Sequence, residues 1–270
     1  MKRPSFPGVW TAFALVFLYA PIVVVLVNAF NENPTLAGWD GFTLKWFDAA
    51  FSNEDTVAAL WVSLRIAALS TILSLALALT AALWGRRASR RWLTALDATT
   101  YMRIVLPEIV LAVGLFVVFR RLDVQFGATT VIVGHAVFNS AYATVVIQAR
   151  LATIGGTLEE AAADLGASPL RVFRRVTLPL LMPAVLVAGL LAFTFSFDNV
   201  ITSAFLAGDS ATLPVRILGL IRFRLTPEIN AIASGVMLIT FVSFVLAIAV
   251  VALRGRGTTL LGVRLRRAQG

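Results

Sequence analysis

The chain has 270 residues, of which 59% are hydrophobic and 14% are charged, and its mean hydropathy is +0.88. A soluble domain is closer to half apolar and a quarter charged. The sequence therefore lacks the polar residues needed to cover a core of this size in water, and lipid is the expected solvent for much of its surface.

The net charge of +9 does not indicate a nucleic-acid partner, because the arginines form short clusters between apolar runs and not one basic face. The chain contains no cysteine, and its single histidine is His135. This composition excludes disulfides, thiolate chemistry and a histidine-rich metal site.

Six apolar segments, each near the roughly 20 residues that a bilayer requires, are predicted to span the membrane. The first is too long for the apolar part of a signal peptide and lacks a small-residue cleavage site, so it is predicted to remain as an anchor. The sequence thus predicts an all-α membrane protein with one transmembrane domain, residues 1–270. The predicted spans are 9–30, 57–84, 104–122, 129–149, 180–206 and 229–253.

Basic residues concentrate in one set of connections between these segments, whereas the other connections carry acids such as Glu32, Asp40 and Asp55. The positive-inside rule then predicts a multi-pass protein of the bacterial cytoplasmic membrane with both termini in the cytoplasm. The basic set comprises Lys2, Arg3, Arg86, Arg87, Arg90, Arg91, Arg103, Arg150, Arg171, Arg174, Arg175, Arg254, Arg256, Arg264, Arg266 and Arg267.

Residues 151–179 interrupt the apolar pattern and predict a cytoplasmic helix–turn–helix. Glu159 to Leu165 favour helix, Gly166 and Ser168-Pro169 break it, and a second short helix is expected to begin at Pro169. Such a segment fits a lever that docks on a soluble partner. An ordinary amphipathic helix at the membrane surface fits the composition equally well.

Within this segment, Glu160-Ala161-Ala162, then Gly166, then Val176, then Leu178-Pro179 resemble the EAA motif of ABC-importer permeases, with Val176 where the motif usually has Ile. The resemblance implies a type I importer permease fold and a coupling helix, around Ala161 to Pro169, that docks on an ATP-binding subunit. The coupling residues implied are Glu160, Ala161, Ala162, Gly166, Ala167, Ser168 and Pro169.

Because the chain has no phosphate-binding loop of the form G-x-x-x-x-G-K-[ST], it is predicted to be a non-catalytic subunit without cofactors of its own. ATP and Mg²⁺ are expected on a separate ATPase. The implied partners are two ATP-binding subunits, a second homologous permease subunit and an extracytoplasmic substrate-binding protein.

Further stretches resemble spermidine/putrescine permeases, specifically the second of their two transmembrane subunits. The resemblance implies uptake of a small cationic solute, most simply a polyamine. Permeases for phosphonates, opines or amino-acid-like compounds are the alternatives within the same class. The stretches are 19–22, 28–31, 41–46, 134–135, 195–205 and 227–231.

An intramembrane carboxylate, Asp198, gives an independent argument, because a charge in a span needs a partner or a water-filled path. If the fifth span is one helix, Phe195, Asp198, Thr202 and Phe205 share a face. Aromatic rings beside a carboxylate suit an alkylammonium. The alternative is that Asp198 bonds to a neighbouring polar side chain and locks helix packing. The resembled family commonly has a second acid next, where this chain has Asn199. The predicted solute-path residues are Phe195, Asp198, Asn199, Thr202 and Phe205.

Four other polar residues are candidates for a gate or for contact with the binding protein. Glu108 is expected either to line a gate or to pair with Arg103. His135 and Asn139 share one helix face and fit an interhelical bond better than a ligand. Glu228 either contacts the delivery protein or caps its helix. An intramembrane enzyme or an ion channel remains a rival class, but neither explains the EAA-like stretch.

Overall fold

A computed structural model describes residues 6–35, 37–223, 226–245 and 249. Within these residues the regular structure is helical, apart from one isolated antiparallel bridge between Asn31 and Phe42. The helices are α1 Phe6–Asn28, α2 Lys45–Ser52, α3 Glu54–Gly85, α4 Arg90–Val105, α5 Glu108–Arg121, α6 Ala128–Ile154, α7 Thr157–Asp164, α8 Pro169–Val172, α9 Leu178–Phe197, α10 Ile201–Leu206, α11 Leu213–Phe223 and α12 Pro227–Val245, with a π-helical turn at Phe173–Thr177.

In the described part of the chain, five helices are long and apolar enough to cross a membrane, namely α1, α3, α6, the continuous helix Pro169–Phe197 and α12. They correspond to the first, second, fourth, fifth and sixth predicted spans. The last predicted span extends to residue 253, beyond the described residues, which also exclude the basic N- and C-terminal clusters.

The third predicted span, 104–122, is not one helix. α4 and α5 meet at an angle of 107° and reach the length of a span only when counted together. The bend lies at Leu106, whose extended backbone (φ −63°, ψ 133°) is what a following proline, Pro107, favours. α5 alone has 14 residues, about 21 Å at 1.5 Å per residue.

The fifth predicted span, 180–206, is also interrupted, because α9 ends at Phe197 and α10 begins at Ile201. The Asn199 side chain causes the restart. Its Oδ1 accepts hydrogen bonds from the backbone N–H of Thr202 (2.9 Å) and Ser203 (3.3 Å), as a capping residue does at the start of a helix. The prediction that residues 195–205 follow one continuous helix face is therefore wrong.

The described residues divide into two compact units, one drawn from 1–60 and 215–241 and the other from 61–214 and 242–270. In the first, Arg216 of α11 donates to Asn53 (3.0 Å) and Thr56 (3.1 Å) at the start of α3. Asn31 orders the connection between α1 and α2, since its side-chain amide donates to Gly38 O at 2.6 Å and its carbonyl accepts the Trp46 indole N–H at 2.7 Å.

The core of the second unit forms where α3, α6 and α9 pack through small residues. Small side chains let helix backbones approach closely, which is how helices associate in lipid. Gly134 is a clear case, because a Cβ there would lie 2.6 Å from Leu206 Cδ1 and 2.9 Å from Thr202 Cγ2. The buried cluster consists of Ala78, Ala82, Ala143, Ile147, Leu151, Leu181 and Ala188.

Candidate coupling site and solute path

The predicted helix–turn–helix is confirmed, and α7 and α8 are joined by a tight turn at Gly166. The N–H of Ala167 donates to Ala162 O (3.1 Å) and that of Gly166 to Ala163 O (2.8 Å), the two bonds of a Schellman motif. Gly166 has φ +80°, a conformation that costs other residues free energy. Pro169 is the first residue of α8, as predicted.

The helix implied by the resemblance, Ala161 to Pro169, is wrong in its bounds, because α7 ends at Asp164 and residues 165–168 form the turn. The coupling residues named from the motif nevertheless lie together on one projecting segment. Glu160, Ala161, Gly166, Ser168 and Pro169 are exposed, and Ala162 and Ala167 are half-buried.

Apolar side chains on the same segment also face outward. Leu158, Leu165 and Leu170 are 55%, 89% and 58% exposed. Phe173 and Val176 are half-buried, whereas Arg171, Arg174 and Arg175 are exposed. An exposed apolar ridge rimmed by charges is typical of a surface that another protein covers.

A carboxylate that the sequence did not single out, Glu159, fixes α7 to the rest of its unit. Its Oε1 accepts hydrogen bonds from Arg86 Nη1 (3.0 Å) and from Thr177 Oγ1 (2.5 Å). Arg86 also donates through Nη2 to Gly155 O (3.2 Å). The connection after α3 and the connection after α6 therefore lie at the same end of this unit, as the charge pattern predicted.

Burial raises the pKa of the Glu159 carboxyl, but hydrogen bonds from Thr177 and Arg86 and the charges of Arg86 and Arg87 outweigh that effect, so the pKa lies below its ordinary value. Glu159 is consequently a stable anion at neutral pH. A cavity of about 770 Å³ adjoins it, lined by the end of α3, α7, α8 and the π turn.

The opposite end of α9 carries Asp198, whose surroundings are different. Asp198 caps the C-terminus of α9, and its side chain is exposed. No hydrogen bond or ion pair to this carboxylate occurs within the described part of the chain. The alternative of a packing bond is not supported, because Asn139 donates to Ala192 O (3.1 Å) and Ser196 bonds Ser70 at 2.8 Å.

The aromatic residues named with Asp198 remain close to it along the chain, although the helix breaks between them. Phe195, one turn before Asp198, is 38% exposed, and Phe205 on α10 is 37% exposed. Phe195 packs edge-on against Tyr142 of α6, with ring centroids 5.2 Å apart. Thr202 does not share this exposed surface, because it is fully buried.

Glu108 does not pair with Arg103, which corrects one of the two expectations for it. Arg103 instead donates to Val137 O (2.9 Å) and Ser140 Oγ (2.8 Å) of α6, so it lies between helices and not in a cytoplasmic connection. Glu108 Oε1 accepts from Thr202 Oγ1 (2.8 Å) and from the Asn199 amide. Asn199 thus holds the Glu108 carboxylate close to the backbone break, although its own side chain is a neutral amide.

His135 and Asn139 are both buried inside the helix packing, where neither can contact a binding protein. The two ring nitrogens of His135 lie 2.7 Å from Ser196 Oγ and 3.2 Å from Ser203 Oγ. The expectation of a satisfied interhelical bond is confirmed for His135. Glu228 is half-buried near the start of α12, in the other unit.

Some contacts of this site join residues that are far apart along the chain. Glu159 is 73 residues from Arg86 and 18 from Thr177, so no local spacing links the three. The adjacent acids Glu159 and Glu160 were the only sequence signal for this contact. The helix directs Glu159 inward, toward Arg86 and Thr177, and leaves Glu160 exposed. Among the described residues no group of three or more acidic or histidine side chains is placed to hold a metal ion.

Solved structures define the class of this fold. A chain of a bacterial ABC transporter involved in the import of the acidic polysaccharide alginate superposes with a TM-score of 0.70 at 18% identity, covering 93% of both chains. A chain of the MetNI methionine ABC transporter gives 0.64 at 16% identity, covering 73% of this chain and 95% of that one. The fold is that of a type I ABC-importer permease.

The family model for the inner membrane component of binding-protein-dependent transport systems matches residues 74–257. The chain belongs to this family and is a non-catalytic, multi-pass inner-membrane permease subunit. Spermidine/putrescine transport system permease protein PotC of Haemophilus influenzae is 34% identical over 232 residues, 86% of this chain and 90% of that protein. Putrescine transport system permease protein PotI of Escherichia coli K12 is 34% identical over 233 residues, 82% of each chain.

Proposed function

We propose that this chain is one of two permease subunits of a polyamine importer and that Asp198 lines the solute path. One observation carries the proposal. A carboxylate lies exposed and without a partner in the described residues, at a break between two apolar helices. Facing lipid it would be costly, whereas facing a water-filled path it would attract a cation.

The surroundings of Asp198 support the same solute class. Phe195 is exposed one turn away and offers a ring to an alkylammonium. Glu108, held by Asn199 and Thr202, keeps a second carboxylate close to the break even though Asn199 is neutral. A carboxylate beside an exposed aromatic ring suits an ammonium group better than an anionic solute. The names of the relatives PotC and PotI support this substrate class independently.

The proposed assembly comprises this chain, a second homologous permease, two ATP-binding subunits and an extracytoplasmic binding protein. ATP and Mg²⁺ belong to the ATP-binding subunits. The exposed surface formed by Glu160, Ala161, Gly166, Ser168 and Pro169 contacts one of those subunits and receives the motion that follows ATP binding. Glu228, near the start of α12, is a candidate contact for the binding protein.

Both termini lie in the cytoplasm in this proposal, with α4 and α5 counted together as one span. Because the chain has no cysteine, single cysteines test the orientation cleanly. A cysteine at Ala268 should resist membrane-impermeant thiol reagents in intact cells, and one at the exposed Ser52 should react. The reverse pattern would overturn the topology.

The decisive experiment measures uptake of labelled putrescine by the reconstituted complex, with spermidine, a neutral amino acid and a phosphonate as competitors. Asp198→Asn keeps the size of the side chain and removes its charge. A charge pair at an effective dielectric near 20 is worth about 4 kcal/mol at most, so uptake should fall on the order of a hundredfold while the complex still assembles. Asp209→Asn, an exposed carboxylate on the next connection, is the control and should transport normally.

Two results would count against the proposal. Wild-type uptake by Asp198→Asn would exclude a charge-based role for Asp198. Competition by the phosphonate but not by spermidine would retain the importer class and reject the polyamine.

A further inference from the structure

α7 is attached to the rest of its unit by flexible residues at both ends. Gly155 and Gly156 precede it and Gly166 follows it, and Gly155 (φ +68°) and Gly166 (φ +80°) have positive φ angles. Glycine restricts the backbone less than any other residue. The covalent chain alone would therefore let α7 swing, and a helix that swings freely cannot transmit a displacement.

The contacts of Glu159 remove this freedom. One carboxylate oxygen holds Arg86, the first residue after α3, and Thr177, in the π turn that continues into α9. The second guanidinium nitrogen of Arg86 binds the carbonyl of Gly155, at the flexible entry to α7. Hydrogen bonds between charged groups are about twice as strong as neutral ones, and this group makes three contacts where an isolated surface pair makes one.

One attachment point directly follows a helix of span length, and the other lies within a second such helix. α3 ends at Gly85, directly before Arg86, and Thr177 is part of the uninterrupted helix Pro169–Phe197. The side chains of Glu159 and Arg86 are 22% and 29% exposed, so water screens the pair less than it would on an open surface.

We propose that Glu159, together with Arg86 and Thr177, forms a joint that makes α7 move as one body with α3 and α9, so that Glu159 is a positioning residue for energy coupling. This inference rests on the proposed function of the exposed α7–α8 surface as the contact of the ATP-binding subunit. The joint determines how much of a push on α7 reaches the membrane, and it contacts neither solute nor nucleotide.

The test is a charge-reversal cycle in the full importer complex, reconstituted in liposomes. Arg86→Glu and Glu159→Arg each break the pair, and the double variant restores it in reverse. Each single variant should lower putrescine taken up per ATP hydrolysed about tenfold, within the usual range of coupling between sites, and the double variant should recover most of that loss. Arg91→Glu, an exposed arginine at the start of α4, makes the same charge change away from the joint and should behave as wild type.

Co-purification of the ATP-binding subunit reports assembly separately. If the reversals fail to assemble, Glu159→Gln and Thr177→Val are measured instead, and a lowered ratio of uptake to hydrolysis in either supports the joint. A wild-type ratio in every assembled variant, or a double variant no better than the worse single one, would overturn it.

Failure of the joint and failure of the proposed function give different results. If the wild-type complex hydrolyses ATP on addition of the binding protein but takes up no putrescine, the substrate assignment fails. The joint is then tested on that stimulated hydrolysis, which requires no assumption about the solute. If wild-type coupling is normal and the variants are also normal, only the joint is wrong.

Discussion

A carboxylate lies near each end of α9, and the surroundings of the two differ: Glu159 of α7 is bound to Thr177, just before α9 begins, and Asp198 caps its C-terminus. At one end Glu159 accepts hydrogen bonds from Arg86 and Thr177 and is screened from water. At the other end Asp198 is exposed and has no partner within the described residues. A satisfied charge stabilises structure, whereas an unsatisfied one remains available to a ligand.

The comparison extends to the neighbours of Asp198. Asn199 and Glu108, beside it, are fully engaged with one another and with Thr202. The polar groups that form the break between α9 and α10 thus have hydrogen-bond partners, whereas Asp198 has none within the described residues. The contrast predicts that changes to the satisfied groups cost stability, whereas changes to Asp198 cost transport.

Asn199→Asp should give the largest loss of stability. The amide that donates to Glu108 would become a second acceptor, and two carboxylates would face each other beside the buried Thr202. A buried charge without a partner costs about 3–5 kcal/mol, so the variant complex should melt several degrees lower and be recovered in poor yield. Thermal unfolding monitored by fluorescence measures this.

Glu108→Gln supplies the matched control for that variant. Combined with Asn199→Asp it restores one donor and one acceptor, so much of the stability should return. Because aspartate caps a helix as well as asparagine does, no rescue would mean that repulsion between these two carboxylates is not the cause of the loss and that the contact of Asn199 with Glu108 contributes little.

Gly134→Ala should destabilise next most strongly, because a methyl group would lie 2.6 Å from Leu206 and 2.9 Å from Thr202, on the helix that carries the break. Overpacking of this kind costs about 1–3 kcal/mol. Gly114→Ala is the control, since nothing lies within 4 Å of its Cβ position and it should be neutral or slightly stabilising. Equal melting temperatures for the two variants would contradict close packing of α6 against α10.

Gly166→Ala tests the turn between α7 and α8, on the segment that carries Glu159. Open space surrounds this position, so a side chain would not push α7 and α8 apart, and only the positive φ angle opposes it. The left-handed conformation costs a residue with a side chain about 1–2 kcal/mol. Gly166→Asn should be milder, because asparagine tolerates that conformation. Uptake per ATP hydrolysed should therefore be highest for wild type, lower for Gly166→Asn and lowest for Gly166→Ala. An equal loss for both variants would indicate steric contact with a partner.

The smallest effect concerns pH. The pKa of Glu159 is lowered in the folded protein, so its contribution to stability is present above the unfolded value, about 4.3, and is lost as the pH falls through the folded value. The difference in melting temperature between wild type and Glu159→Gln should be constant above about pH 5 and shrink below it. A difference that grows toward acid pH would show that Glu159 is not held as an anion.

The sequence by itself determined the environment, the class and the motif-bearing loop. Apolar runs of span length predict the lipid environment, and clustered arginines predict the topology. Both signals are readable from sequence because the cost of placing charges in lipid acts on each residue independently of the fold. The α7–α8 segment was predictable for a similar reason, since Gly166 and Pro169 act on their own backbone.

Tertiary structure alone decided which polar groups have partners. The bend at Leu106 follows a local proline signal, but the separation of α9 from α10 depends on a side chain, Asn199, that can equally sit inside a helix. Arg103, Glu108 and Glu159 each found partners from 18 to 94 residues away. The physical reason is that a buried polar group is stabilised by whatever donor or acceptor the packing brings to it, and linear spacing does not encode that choice.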